Sequence, residues 1–319
     1  MTSIATLTLN PTLDVAFEVE RILPTHKIRG SGERHDPGGG GINVARVFRR
    51  LGGDVRCYYL AGGAAGASLD WLLDQHELVR TRIPIAGETR VSTSVFERES
   101  GQEYRFVTDG PAVSEAEWAA CEALLAEAPC DYLVASGSLP RGVPTDAYAQ
   151  IARIAQAKGI RFVLDSSGDG LAEGLAGGGV FLVKPSVGEL RKLTGLALED
   201  DAAIAAAAQG IAARGGAQLV AVTMGRDGAV LADASGAVRL PAIPVAASSA
   251  VGAGDSFLAG MVHALAQGWT PTEALRLGQA AGAAAVLTPG TDLARAEDIR
   301  RLYAEAAQAE APTGAPVTD

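Results

Sequence analysis

A chain of 319 residues, 48% hydrophobic and 20% charged, can bury one large α/β core; its formal net charge of −10 argues against a nucleic-acid partner, which needs a basic surface. A local cluster of cations for a small anionic ligand stays compatible with that charge. Cys57, Cys121 and Cys130 lack CxxC spacing and read as free thiols of a reducing cytoplasm, and no apolar run approaches the ~20 residues of a membrane span. The expectation is a cytoplasmic protein with no membrane partner.

Aromatic residues make up only 5%, so small aliphatic side chains must fill most of the core. Ile4–Leu9 reads as a first strand and not as a secretory leader. Ile42–Leu51 has helical spacing and stops at Gly52-Gly53. Val55–Ala61 is strand-like, and a helix follows near Ser68–His76. Tyr132–Ala135, Phe162–Asp165, Phe181–Val183 and Leu219–Thr223 are short branched or aromatic runs. Between them lie helical stretches such as Thr145–Lys158 and Asp200–Arg214. This βα alternation predicts a mostly parallel sheet with helices on both faces. Asp14–Val19 with Lys27–Arg34, and Arg90–Phe96 with Tyr104–Val107, alternate with period two and have no intervening helix. They predict a small antiparallel sheet, placed as a lid beside the parallel one. Ala253–Gln267 and Thr272–Leu287 read as two successive Ala-rich helices, and a Pro-, Thr- and Gly-rich tail begins at Ala311.

Two glycine-rich stretches carry the chemistry. In Val251-Gly252-Ala253-Gly254-Asp255-Ser256, an extended segment enters an apolar helix near Asp255. Glycines and a helix N-terminus together offer backbone N–H groups and a positive dipole end to an anion. A carboxylate at that point suits a base that accepts a hydroxyl proton during phosphoryl transfer; equally, it suits a plain N-cap. Gly38-Gly39-Gly40-Gly41 precedes Asn43 and reads either as close backbone contact with a ligand or as a hinge. No Walker GxxxxGK[ST] pattern occurs, and no GxGxxG follows the first strand, which weighs against P-loop and dinucleotide-binding readings.

These two stretches resemble the signature regions of the PfkB (ribokinase-like) carbohydrate kinase family. The resemblance spans nearly the whole chain. It includes Thr8-Leu9-Asn10-Pro11-Thr12-Leu13-Asp14, Ser136-Gly137-Ser138-Leu139-Pro140, Lys184-Pro185 followed by Glu189, and Thr223-Met224-Gly225-Arg226-Asp227-Gly228. It implies a ribokinase-like α/β domain over about 1–310, lid insertions at about 12–37 and 88–109, and a disordered tail at 311–319. It also implies a homodimer formed through the lid. By the same resemblance, Asp255 is the catalytic base, and Gly252, Ala253 and Gly254 form an anion hole for the transferred phosphoryl group. Asp14, Gly39, Gly40, Asn43 and Ser138 line the sugar site, and Lys27, Arg29, Arg90 and Arg105 face an existing sugar phosphate. Lys184, Ser186, Thr223, Gly225 and Gly228 hold the ATP phosphates, and Gly282 and Ala283 flank the base.

Magnesium is implied as cofactor, with Glu189 acting through water. Where the family usually has Asn-x-x-Glu, this chain has Ser186-Val187-Gly188-Glu189, and a hydroxyl reaches less far than an amide. A potassium site is implied at Ser249, Val251, Ala285, Thr288 and Gly290. The expected reaction is phosphorylation of fructose 6-phosphate by ATP. The basic lid argues for a phosphosugar, because clustered cations repel unless an anion bridges them. Gly39-Gly40-Gly41 lacks the lysine of the Gly-Gly-Lys-Gly motif usual in 1-phosphofructokinases, tagatose-6-phosphate kinases and ribokinases, as in minor bacterial 6-phosphofructokinases. Those first two activities, or a kinase for an unphosphorylated sugar, are the alternatives within the family. An NAD-binding oxidoreductase or a non-catalytic nucleotide-binding regulator is the alternative from another class.

Overall fold

The computed structural model describes residues 2–310 except 247, 248, 250, 289 and 291. The expected tail at 311–319 lies outside the described residues. The first strand, β1 (Ile4–Thr8), pairs in parallel on one side with β4 (Val55–Ala61) and on the other with β8 (Tyr132–Ser136). Beyond β4 lies β5 (Val79–Pro84). Beyond β8 the order runs through β9 (Arg161–Asp165), β10 (Val180–Val183), β11 (Ala217–Thr223), β12 (Ala229–Ala232) and β13 (Ala237–Leu240), giving nine strands. All neighbouring pairs are parallel except β11–β12 and β12–β13, which are antiparallel. The chain thus winds outward both ways from the β1–β8 junction, and ligands in open α/β sheets bind at the carboxyl ends of strands around such a junction.

Strand alternation explains the two covering layers. Along β8, Tyr132 and Val134 enter one core while Leu133 and Ala135 enter the other. The first core packs α1 (Gly40–Arg50), α2 (Gly63–Gln75), α8 (Ala253–Ala266), α9 (Pro271–Ala285) and α10 (Ala296–Glu310). The second packs α3 (Glu115–Glu127), α4 (Ala147–Ala157), α5 (Gly168–Ala176), α6 (Val187–Thr194) and α7 (Asp201–Ala213). The expected fold class, a mostly parallel sheet flanked by helices with a small β lid, is present.

The lid consists of β2 (Thr12–Val19), β3 (Ser31–Gly38), β6 (Arg90–Glu97) and β7 (Gln102–Phe106), ordered β3-β2-β6-β7. Pairing is antiparallel within each arm, as expected, and the two arms join through a parallel pairing of β2 with β6. The second arm of the first insertion begins at Ser31, so Lys27 and Arg29 lie in the preceding connection and not in a strand. Leu13 packs with Ala65 and Leu72 in a small separate cluster, which seats the lid on α2.

Candidate active site

The site assembles at the carboxyl ends of the central strands. Asn10 follows β1, Ser136 ends β8, Asp165 ends β9, Lys184 follows β10 and Thr223 ends β11. From the other side come the N-termini of α1 and α8. Gly252, at a left-handed φ of 70°, is the N-cap of α8, so the helix begins at Ala253 and Asp255 is its third residue. Asp255 is therefore not the N-cap. Its Oδ2 instead accepts a hydrogen bond of 2.9 Å from Asn43 Nδ2 in α1. The plain capping role is removed, and a carboxylate in the first turn of α8 is held from a second helix.

Burial pushes the Asp255 carboxyl up to about 6, and the negative charge of Asp165 pushes the same way; Asn43 and Lys184 pull it down. At neutral pH it is thus mainly a carboxylate with unusually high proton affinity, which suits a general base. Lys184 Nζ lies 3.1 Å from Asp165 Oδ1, and its side chain is 6% exposed. Burial works against its charge, but Asp165, Asp255 and Glu189 together raise its proton affinity, so it stays an ammonium. A Cβ on Gly254 would sit 3.4 Å from Lys184 Nζ, which places this cation against the start of α8. Ser136 Oγ donates to Asp165 Oδ2 at 3.2 Å. Asp165 and Ser136 belong to the constellation but were not singled out as site residues. A short polar residue at a strand end is their only sequence signal, and the partner that gives Asp165 meaning is nineteen positions away at Lys184.

The glycines of 38–41 are fixed by close approaches inside the protein. A Cβ on Gly38 would lie 2.1 Å from Asp14 Oδ2, one on Gly40 2.1 Å from Ser136 Oγ, and one on Gly41 2.5 Å from the Leu7 carbonyl. They let α1 press onto β1 and β8, and they leave room for Asp14. That geometry does not fit a loose hinge. Asn10 Nδ2 donates to Ser138 Oγ at 3.2 Å and to the Asp109 carbonyl at 3.1 Å, which ties the ends of β1, β8 and the lid together.

Of the expected phosphate-facing cations, Arg90 is half-buried at the lid root and donates to the carbonyls of Asn10 (2.8 Å), Pro11 (3.4 Å) and Thr108 (3.0 Å). Arg105 is exposed on β7 and draws the proton affinity of Asp14 down. Lys27 and Arg29 are exposed in the connection before β3.

On the nucleotide side, Thr223 N–H donates to the Pro185 carbonyl at 3.0 Å, joining the ends of β10 and β11. Gly225 (φ 59°) and Gly228 (φ 105°) bound a short 3-10 turn, Gly225–Asp227. A Cβ on Gly228 would lie 2.2 Å from the Leu240 carbonyl, so the turn itself demands that glycine. Gly282 packs near the Ala253 carbonyl, where a Cβ would be 3.4 Å away, and Ala283 beside it is half-exposed.

Ser186 is the N-cap of α6 and forms a reciprocal capping box with Glu189: its Oγ accepts from the Glu189 N–H at 3.2 Å, and its own N–H donates to Glu189 Oε2 at 2.8 Å. One carboxylate oxygen of Glu189 is therefore engaged, and the charge of Glu189 is felt at both Asp165 and Lys184. This suits a magnesium ion that keeps most of its water. Ser249, Val251, Ala285, Thr288 and Gly290 also converge. Ser249 Oγ donates to the Gly290 carbonyl at 3.4 Å and accepts from the Val251 N–H at 3.2 Å, while Thr288 Oγ1 donates to the Ala285 carbonyl at 2.7 Å. Neutral carbonyl and hydroxyl oxygens beside the start of α8 fit a monovalent cation.

A groove of about 750 Å³ lies elsewhere, between α5, α6 and α7. Its one charged lining residue is Arg214, so it lacks the groups for phosphoryl transfer. The three cysteines are free, and burial pushes Cys57 and Cys121 up to about 12 and Cys130 to about 11, so none is poised as a thiolate. Among the described residues no helix is long and apolar enough to cross a membrane.

A sheet wound outward from β1, a carboxylate over a glycine-rich helix start, and a buried lysine beside it define an α/β phosphotransferase. The pfkB family carbohydrate kinase model matches residues 7–298, and the chain belongs to that family. It is 43% identical over 307 residues to ATP-dependent 6-phosphofructokinase isozyme 2 of Mycobacterium tuberculosis, covering 96% of this chain and 90% of that one. To the Escherichia coli isozyme 2 it is 39% identical over 305 residues, covering 95% and 99%. The crystal structure of Escherichia coli phosphofructokinase-2 in complex with potassium superposes with a TM-score of 0.93, at 39% identity over 96% of this chain and all of that one. The same enzyme in complex with fructose 6-phosphate superposes at 0.90, with 38% identity and the same coverage.

Proposed function

We propose that this carbohydrate kinase transfers the γ-phosphoryl group of ATP to the 1-hydroxyl of fructose 6-phosphate. The observation that carries the reading is the contact of Asn43 with Asp255 at the third position of α8, beside Lys184. Asp255 accepts the proton of the acceptor hydroxyl, whose oxygen attacks the γ-phosphorus; the bond to the ADP oxygen breaks. Asn43 orients the carboxylate. Backbone N–H groups of Ala253 and Gly254 and the Lys184 ammonium stabilise charge on the transferring group. Asp14, Gly39, Gly40 and Ser138 line the sugar side; Arg90 and Arg105, with Lys27 and Arg29 on closure, take the sugar 6-phosphate. Ser186, Thr223, Gly225 and Gly228 contact the ATP phosphates, and Gly282 and Ala283 flank the base.

Glu189 and Asp165 would hold magnesium through water, which shields the ATP phosphates. Ser249, Val251, Ala285, Thr288 and Gly290 would hold potassium beside the anion hole. A soluble cytoplasmic homodimer formed through the lid fits the exposed apolar side chains of Val91, Phe96, Phe106 and Val107 there. Relatives named 6-phosphofructokinase, one of them solved with fructose 6-phosphate, support the choice of sugar. Comparing kcat/KM for fructose 6-phosphate, fructose 1-phosphate, tagatose 6-phosphate and fructose under one Mg·ATP condition tests that choice. Fructose 6-phosphate is expected to lead clearly. A lead for fructose 1-phosphate or tagatose 6-phosphate would overturn the choice of sugar, and a lead for free fructose would also overturn the phosphate role of the lid.

A further inference from the structure

Arg46 is 3% exposed, a rare placement for an arginine. It lies three residues after Asn43, so both side chains leave the same side of α1. Its Nη1 donates to the Pro37 carbonyl at 3.1 Å and its Nη2 to Asp36 Oδ1 at 3.2 Å. Both acceptors belong to the last residues of the lid strand β3, at the start of the glycine stretch. Directly across the antiparallel pair, Asp36 faces Asp14 in register. Like charges opposite each other in a ladder repel. Asp14 Oδ2 lies over Gly38, so the carboxylate rests on the same few residues that Arg46 grips.

We propose that Arg46 is a positioning residue of the sugar site: by neutralising Asp36 at the root of the lid, it lets the neighbouring Asp14 carboxylate stand as a charged acceptor for sugar hydroxyls. This rests on the reading that Asp14 lines the sugar site. The charged groups facing Asp14 are Asp36 from β3, Arg105 from β7, Arg90 from β6, Arg46 from α1 and Asp255 from α8, with the Thr12 hydroxyl on its own strand. Burial pushes the Asp14 carboxyl up to about 6; Arg105 and Arg46 pull it down, and Asp36 pushes it up. Arg46 in turn faces Arg50 and Asp292. Arg46 is the smallest of these influences on Asp14, so its loss moves the Asp14 carboxyl upward while Arg105 still pulls it down. An apolar residue in place of Arg46 would remove the cation that the two facing carboxylates share and leave Asp14 to Arg105 and Arg90.

The test uses the full chain and the variants Arg46→Met, Asp36→Asn and the double variant. The Asp14 carboxyl carbon is titrated by ¹³C NMR without substrate, and KM is measured for fructose 6-phosphate and for ATP. Arg46→Met should move the Asp14 midpoint up and raise the sugar KM about tenfold near pH 7, with the ATP KM within about twofold. Asp36→Asn should move the midpoint down. The double variant should return both the midpoint and the sugar KM toward wild type. An unmoved Asp14 midpoint in Arg46→Met, an equal rise in both KM values, or a double variant no closer to wild type would overturn the proposal. If Arg46→Met does not fold, the Asp36→Asn midpoint decides: a downward shift supports the linkage, and no shift removes it. A wild-type enzyme that ignores fructose 6-phosphate while the midpoints move as stated overturns the choice of sugar and leaves the linkage supported.

Discussion

Asp255 combines two properties that favour different outcomes. Its raised proton affinity suits catalysis, yet an ionised buried carboxylate costs stability. Its folded value of about 6 lies above the ordinary 3.8, so the native state holds the extra proton between those values. Stability is therefore fully present below pH 3.8 and falls as pH rises through 6. Asp255→Asn should then melt about 2–4 °C higher than wild type at pH 8. A lower melting temperature would mean that the charge is compensated. In the wild type, kcat should fall as pH drops through about 6, where the base takes up its proton; a flat profile between pH 5 and pH 8, read at saturating substrates, would contradict the base assignment. Arg90→Ala should raise the fructose 6-phosphate KM about 10–100-fold and the ATP KM far less, since a charge-assisted contact is lost. Equal effects would show that Arg90 serves only to tie Asn10, Pro11 and Thr108 together. Ser186→Asn should keep the melting temperature, because Asn also caps well, and lower the Mg²⁺ concentration for half-maximal rate. An unchanged or higher requirement would remove position 186 from the metal's surroundings.

At the scale of elements, two helix N-termini and five strand ends must meet within a few ångströms. Close packing of α8 on α9 fixes one of them. A Cβ on Gly260 would lie 2.7 Å from the Leu277 carbonyl and 2.9 Å from Ala281 Cβ. Gly260→Ala should therefore destabilise the protein by about 1–3 kcal/mol, read by urea unfolding; an unchanged midpoint would show that the helices separate freely. The same elements show how far the chain can be read unaided. The alternation of β1, β4 and β8 to β11 with α1, α4, α7, α8 and α9 is legible because each carries its own period. α3 is harder: its apolar residues are spread around the helix, although Ser114 and Glu117 form a capping box that marks its start. The glycine stretches were legible as sites of close approach, but what approaches Gly38 and Gly40, namely Asp14 and Ser136, depends on strands remote in sequence. Asp165 was missed for the same reason, because its role exists only once β9 and β10 lie side by side.

At the scale of the whole molecule, the lid is the feature least determined by local sequence. Its two arms come from separate insertions and meet through β2 and β6, a parallel contact that neither arm specifies alone. Its apolar side chains at Val91, Phe96 and Phe106 are about half exposed in the single chain. If they cover each other in a second copy, light scattering after size exclusion should give twice the 32.6 kDa chain mass. Val91→Asp with Phe106→Asp should then give single-chain mass and a higher KM for the sugar. A wild-type monomer with full activity would remove the dimer from the account.

Asp255, as the proposed base, drives phosphoryl transfer from ATP to a phosphosugar. ³¹P NMR of wild type and Asp255→Asn with Mg·ATP and fructose 6-phosphate reads both donor and product in one experiment. Wild type should convert the sugar to its 1,6-bisphosphate with ADP in equal amount. Asp255→Asn, with unchanged circular dichroism, should lose about 10²–10⁴-fold in rate. A variant that keeps more than about a tenth of the wild-type rate, or a wild type that forms ADP without a phosphorylated sugar, would contradict the account.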